Sequence, residues 1–468
     1  MAGPSVFRKL LSRIVGAPAQ TRRFDAAGGG RRWDARPSFG AVGPETLAAA
    51  APVRERSRYF AHNNSWAASG VAALVAAHVG AGITPSSSHP DPEIRRSLNQ
   101  FFARWAAGAD ADGRTDFFGI QAAAVRGMVM DGESFLHFEW HDNSLRLRLI
   151  PAEMVDASHT VELGDGRRII AGIEFDAHGR RVAYHVLQGR PTDLFASYAP
   201  PVRVDAADIV HLFQPMGAGQ VRGISWLAPI LLRLSELDQL EDALLVGTKV
   251  AAMHAGFLQD QNGAGQAFEG DQLGSILETG LEPGTLKVLP SGYSIEFSAP
   301  QQAQQAIEFA KLQLRAVAAG LGVPEHLLTG DLSGANYSSL RAGLVAFRQR
   351  VEQVQYQTII PQMLNPIWDR VVNLAALSGE IDAEDNLGAD WYPPPMPWVD
   401  PLKDAEATQA MLDSGLMSRR QAVAALGYDV EVLDAEIAAD RERERALGLV
   451  FGAAPRPSTT EPKGPTGA

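Results

Sequence analysis

Leu328-Thr-Gly-Asp-Leu-Ser-Gly-Ala-Asn-Tyr-Ser-Ser-Leu-Arg341 decides how this chain is read, because it joins two strongly helical segments through a loop with little to bury. Upstream, from Gln301, Ile307, Leu314, Val317 and Leu321 recur at helical spacing, and Gly322-Val-Pro324 closes that helix. Downstream, Leu340, Leu344, Phe347, Val351 and Val354 alternate by four and three, the seam spacing of a helix packed lengthwise on another. The hydroxyls of Ser338 or Ser339 can cap its first free N–H groups. Pro361 is expected to end it. The loop between is polar and flexible. Gly330 and Gly334 loosen it, while Thr329, Asp331, Ser333, Asn336 and Tyr337 supply polar groups, with Arg341 one turn into the next helix. Two helices and a plain connector would also fit this pattern.

The chain has 468 residues, more than one ordinary core, so two or three domains are expected. Its 46% hydrophobic and 21% charged residues describe a soluble globular protein. Lys and Arg number 42 against 54 Asp and Glu, a net charge of −12. That balance argues against wrapping nucleic acid tightly, although like charge can guide DNA without holding it. Cysteine is absent, which excludes disulfides, thiolate zinc sites and cysteine nucleophiles. The apolar run Val71–Val79 falls far short of the roughly 20 residues that a membrane helix needs. Residues Met1–Arg36 are rich in Arg, Gly and Ala, and Gly28-Gly-Gly30 with Pro37 favours a disordered basic arm over a transit peptide or surface helix.

Going outward, Pro44–Val79 is helical with a break at His62-Asn-Asn64, and Arg54, Arg56 and Arg58 are expected on one side of the first helix. His62 reads as a turn residue. Asp110–Asp116 resembles a calcium loop, but glycine stands fourth rather than sixth and Gln121 occupies the twelfth place, so it reads as a loop before the helix Phe117–Met130. Strands are expected at Glu133–Trp140, Leu145–Ile150, Ile169–Phe175, Arg181–Leu187 and Asp208–Phe213, with turns at Asp142-Asn143, Gly164–Gly166 and Asp176–Gly179. His137, His185 and His211 lie on these strands, and no acid in the sequence pattern supports a metal there. The glycines of Pro215–Pro229 lack the Gly-Lys-Ser/Thr of a phosphate loop, and Gly223-Ile-Ser-Trp lacks the second glycine of a nucleophile elbow. A long helix follows, Leu227 to about His254, with Asp238, Glu241 and Asp242 as an expected solvated face. Phe257–Pro300 carries short strands at Thr285–Leu289 and Tyr293–Phe297. After a helix through Asn365 to about Leu377, the prolines of Trp391–Pro401 force an extended strap that its tryptophans pack on the core. Helices at Pro401–Asp413, Arg419–Leu426 (behind a Ser418/Gln421 capping box) and Val430–Leu447 close the fold, and residues after Gly452 read as disordered.

Four of these segments together resemble the lambda-type portal proteins of tailed bacteriophages: Arg54–Arg58 with Asn63-Asn64, Val79-Gly-Ala-Gly-Ile83, the run Gly219-Gln-Val-Arg-Gly-Ile-Ser-Trp-Leu-Ala-Pro229, and Leu328–Arg341. The resemblance spans roughly Arg54 to Leu447; the Ala- and Gly-rich N-terminus departs from it. It implies an α+β portal-type subunit with a mixed α/β wing (44–225 and 323–400), stem helices at 226–255 and 301–322, a small α/β clip at 256–300 and a helical crown at 401–448. An N-terminal arm (1–43) and a tail (449–468) flank these. Such subunits form a ring, usually dodecameric, at one capsid vertex of the virion, after assembly in the host cytoplasm. The implied partners are further copies of the chain, the terminase large subunit, the major capsid protein, head-completion proteins and double-stranded DNA held without sequence preference. No cofactor, membrane or enzymatic activity is implied. Thr329, Gly330, Asp331, Ser333, Gly334, Asn336, Tyr337 and Arg341 would then face DNA in the channel. The competing readings are a hydrolase, for which no nucleophile and base are found, and a non-viral adaptor ring without DNA translocation.

Overall fold

The structure, a computed structural model, describes residues 39–449 apart from 142–143, 192–198, 253–255, 261–270, 274–275, 279–292, 298–302, 335, 382–386, 396–397 and 399. The expected basic arm, the Asp142-Asn143 turn, the Thr285–Leu289 strand and the tail after Gly452 lie wholly or almost wholly outside these residues.

Two helices open the described chain, α1 (Val42–Asn63) and α2 (Ser65–His78). His62 and Asn63, expected in the break, are still helical; Asn64 alone separates the helices in an extended conformation, and its side-chain oxygen accepts from Ala67 N–H at 3.0 Å, so the break is a single helix cap. Next come β1 (Thr84–Ser87), α3 (Pro92–Ala106) and α4 (Phe117–Asp131). Asp110 accepts from the N–H groups of Asp112, Arg114 and Thr115, which folds the loop before α4 on a single carboxylate.

Strands β2 (Glu133–His141), β3 (Ser144–Ile150), β4 (Val161–Gly164), β5 (Arg167–Ile170), β6 (Ile173–Phe175), β7 (Arg181–Val186), β8 (Val202–Asp205) and β9 (Ile209–Phe213) form two antiparallel sheets. Their orders are β3-β2-β9 and β4-β5-β6-β7-β8. The expected single strand Ile169–Phe175 is in fact a hairpin. Ile170 pairs with Ile173 around a two-residue turn in which Ala171 (φ 49°) and Gly172 (φ 79°) are both left-handed. A run of apolar residues hid the turn because Ala171, not Asn or Asp, occupies its first position.

Helix α5 (Leu231–Ala252) follows a short 3-10 turn, and β10 (Gly256–Asp260), β11 (Asp271–Leu273), β12 (Ile276–Glu278) and β13 (Tyr293–Phe297) pair as β10–β13 and β11–β12. Helix α6 (Ala303–Leu321) returns to pack on α5. The short α7 (Glu325–Thr329) leads through the loop to α8 (Tyr337–Val354). Pro361 does not end this helix. The chain continues as a π-helix, Gln355–Leu364, directly into α9 (Asn365–Leu377). The wider turn relieves the clash between a proline ring and the carbonyl four residues back. Burial of Thr358, Ile359, Ile360, Met363 and Leu364 holds it in place.

Strand β14 (Ala389–Tyr392) pairs antiparallel with β1, and Trp391 donates its ring N–H to Asn365 at 2.8 Å, so the strap packs on the core there; Trp398 stays 37% exposed. The C-terminal helices are α10 (Pro401–Asp413), α11 (Arg419–Ala425), with its Ser418/Gln421 capping box, and α12 (Val430–Leu447). The main core joins α1–α4, the β2–β3–β9 sheet and the α8–α9 rod, while a second cluster around Phe135, Ile173, Phe175 and Tyr184 lies between the sheets.

Candidate functional site

The loop after α7 is tied down at its root and free at its tip. Leu328 is 2% exposed, and its carbonyl accepts from the Ser69 hydroxyl of α2 at 2.8 Å. Thr329 donates its hydroxyl to Glu325 O and accepts from Asp331 N–H at 3.1 Å, while Gly330 (φ 71°) caps α7 in the left-handed region. Asp331 accepts from Ser333 N–H at 2.8 Å. Hydrogen bonds from the Ser333 hydroxyl and backbone, with a smaller pull from Lys311, hold this carboxyl below the usual range. Asp331–Gly334 are exposed, and a methyl group at Gly334 would meet nothing within 4 Å.

The cap of α8 is Asn336, not Ser338 or Ser339. The Asn336 side chain accepts from Ser339 N–H at 2.9 Å, and Ser339 Oγ accepts from Asn336 N–H at 3.2 Å. The serine expected to cap thus holds the third position of a capping box, which places Tyr337 already inside the helix. Arg341 donates to Asp404 of α10 at 2.8 Å, an ion pair within the chain. The exposed tip, Asp331–Gly334, therefore offers one hydroxyl, backbone N–H groups and one anion.

The segment Gly219–Pro229 has a structural role. Arg222, 2% exposed, lies 2.6 Å from Glu133 and donates to the carbonyls of Ala152, Val155 and Ala171. Glu133 also accepts from Gly223 N–H and faces His211 at 3.1 Å and Arg54 at 4.0 Å. Burial would raise the Glu133 pKa, but the Arg222 charge and the hydrogen bonds outweigh it and keep the carboxyl well below the usual range. His211 stacks between Phe135 and Phe213, and burial pushes its pKa down to about 4. Gln220 closes the loop, accepting from Met216 N–H and donating to Arg222 O, and Ser225 Oγ donates to Val129 O. Gly223 and Gly132 are required for space: a Cβ on Gly223 would lie 2.1 Å from Gly132 O.

Several sequence expectations change here. Arg54 and Arg58, four apart, share a face, whereas Arg56 is exposed, since residues two apart do not line up on a helix. Arg58 forks onto Asp131 (2.7 and 2.7 Å) and Glu153 (2.7 and 3.2 Å). Asp238 and Glu241 are no solvated face: they accept from Asn64 at 2.8 Å and from the Trp66 ring N–H at 3.0 Å, and so seat α5 on the α1–α2 joint. Each strand histidine does have an acid beside it, His137 with Glu139, His185 with Glu174 and His211 with Glu133. Three different carboxylates take them, and no cluster able to hold a metal occurs among the described residues. The sequence pattern gives Glu133 no signal of its role, because its strand also carries Ser134, His137, Glu139 and His141. Among the described residues no helix is long and apolar enough to cross a membrane.

Residues 29–355 match the family described as phage portal protein, lambda family. The chain is 25% identical over 383 residues to the "probable portal protein" of Halomonas phage phiHAP-1, covering 78% of this chain and 73% of that one. It is 23% identical over 401 residues to portal protein B of Escherichia phage lambda, covering 76% and 74%. Among solved structures it is similar to a chain in the neck of an empty gene transfer agent (GTA) particle computed with C6 symmetry, at TM-score 0.43 and 15% identity, covering 89% and 96%. An HK97-family phage portal protein from Corynebacterium diphtheriae gives TM-score 0.28 at 13% identity, covering 66% and 86%.

Proposed function

Because this chain belongs to the lambda family of phage portal proteins, we propose that it forms the ring-shaped channel at the capsid vertex through which DNA is packaged and ejected. The family match across residues 29–355 carries this reading, since it includes the Gly219–Pro229 segment, the α5 and α6 pair and the 329–341 loop. In this reading α5 and α6 are the stem, the β10–β13 segment is the clip on which the terminase large subunit docks, and α10–α12 form the crown. Helices α5 and α6 bury Leu231, Leu234, Leu237, Leu314, Val317 and Leu321 but leave Leu232, Leu245, Val246, Ile307, Phe309 and Leu312 exposed. Apolar residues left over on both helices of a packed pair suit a head-to-tail contact repeated around a closed ring. The major capsid protein and head-completion proteins would hold the ring in the virion.

The loop of Thr329, Gly330, Asp331, Ser333, Gly334, Asn336 and Tyr337 then lines the channel and touches DNA weakly, with Arg341 held back by Asp404. The anionic Asp331 at its tip fits a channel along which DNA must slide. The protein supplies the conduit and not the motor, so it neither hydrolyses ATP nor cuts DNA. Purified protein imaged by negative stain should show closed rings with a central hole. Monomers or dimers alone, across a wide range of concentration and salt, would overturn the reading.

A further inference from the structure

Across the five-stranded sheet, Arg168 on β5 stands opposite Phe175 on β6, and Phe175 stands opposite Arg181 on β7. Directly opposed residues of an antiparallel pair share a face, and a β-bulge at Glu174–Phe175 brings Arg181 opposite Phe175 where regular alternation would bring Val182. This face is the one that carries Ile170 and the buried Ile173, so two arginines sit at the end of an apolar surface. Phe175 is 8% exposed and forms a floor between them, while both arginines are exposed at the rim. The row opens into a cavity of about 520 Å³, with Arg168, Phe175 and Arg181 on one side and Gly219, Gln220 and Val221 on the other.

Arg203 is ion-paired with Glu174, Arg222 with Glu133 and Arg58 with Asp131, whereas Arg167 and Arg180, beside Arg168 and Arg181 in the chain, make no ion pair among the described residues. Among the described residues, neither Arg168 nor Arg181 has a carboxylate within 4.0 Å, and Glu162, opposite Arg168 on β4, makes no such pair. The Arg181 guanidinium lies 5.5 Å from the centre of the Phe213 ring, which helps to hold it in place. Two cations over an apolar floor fit one carboxylate side chain whose stem enters the cavity. A duplex backbone would instead need a continuous ridge of cations.

We propose that this cavity receives an Asp or Glu side chain from a neighbouring copy of this chain, as a specific contact of the ring. The proposal rests on the ring reading above. A head-to-tail interface requires each copy to present a receiving patch and its complement. Carboxylates, 54 against 42 Lys and Arg, are what this chain has in surplus. The cavity wall formed by Gly219–Val221 is fixed by the buried Arg222–Glu133 pair, so the receiving site is rigid before contact.

The chain has no cysteine, so Arg168→Cys and Arg181→Cys each introduce a single thiol. Either variant, labelled with benzophenone-maleimide and irradiated as a mixture of isotope-labelled and unlabelled copies, should yield mixed-label cross-links to a peptide containing Asp or Glu. Separately, the double variant Arg168→Glu/Arg181→Glu should weaken subunit association at least tenfold at moderate salt, with an unchanged urea midpoint for the subunit. Cross-links confined to single copies, or undiminished association of the double variant, overturn the proposal and leave the ring reading standing. Wild-type protein that never associates overturns both.

Discussion

Arg222 is the residue on which the joint between α4, β2 and the two sheets depends. It has five donors and uses them on Glu133 and three backbone carbonyls, one of them Ala171 in the strained two-residue turn. Removing one partner of a buried ion pair leaves an uncompensated charge, which typically costs about 3–5 kcal/mol. Arg222→Ala should therefore lower subunit stability by roughly that amount, read as a shift in urea midpoint with unchanged slope. Arg222→Met combined with Glu133→Gln should recover part of the loss, because no unpaired charge is left behind. If Arg222→Ala unfolds at the wild-type midpoint, the pair is not the keystone described here.

At the scale of elements, the loop between α7 and α8 is bounded by two local devices, the left-handed Gly330 cap and the Asn336/Ser339 capping box. These fix where each helix stops and starts without fixing what the loop touches. Replacing Asp331–Ala335 by two glycines while keeping Asn336 preserves the cap of α8 and removes only the exposed tip. Rings of that variant should form as in wild type, while DNA packaging or retention in a reconstituted system falls. Normal packaging would make the loop a mere connector, and failure to form rings would place it in the subunit interface. Asn336→Ala, by contrast, should cost about 1 kcal/mol of stability through the lost cap.

For the whole molecule, acid is the condition to which the fold should be most sensitive. Burial pushes His78 and His211 down to about 4, and each makes one ring hydrogen bond, while the other ring nitrogen has no partner. Unfolded, both would take up a proton near 6.5. Between these values the unfolded chain binds more protons, so stability is complete above about pH 6.5 and falls as pH drops toward 4. The loss is on the order of 3 kcal/mol per histidine over that window. Glu133 acts in the same direction at lower pH: its contribution is present above the ordinary carboxylate range and is lost only as its depressed folded pKa is approached. Urea midpoints measured from pH 7.5 to 4.5 should decline, and more gently in His78→Phe, which keeps the edge contact with Trp226. A flat profile would mean that these histidines are not held neutral by the fold.

The sequence by itself determined the elements whose signals are local. The period of Leu340–Val354, the capping box at Ser418 and the glycine Gly322 that closes a helix were legible because each acts within a few residues. The wording of Gly219–Pro229 and Leu328–Arg341 was likewise enough to point to the family. What only the tertiary structure decided depends on partners far apart in the chain. Glu133 and Arg222 are separated by 89 residues, and Trp66 and Glu241 by 175, so neither pairing leaves a periodic trace. Pro361 and Ala171 misled for the same reason: packing around the π-helix and the acceptor role of the Ala171 carbonyl override local preference. A helix or turn that is disfavoured alone is kept when buried contacts over-determine it, and those contacts exist only once the chain has folded.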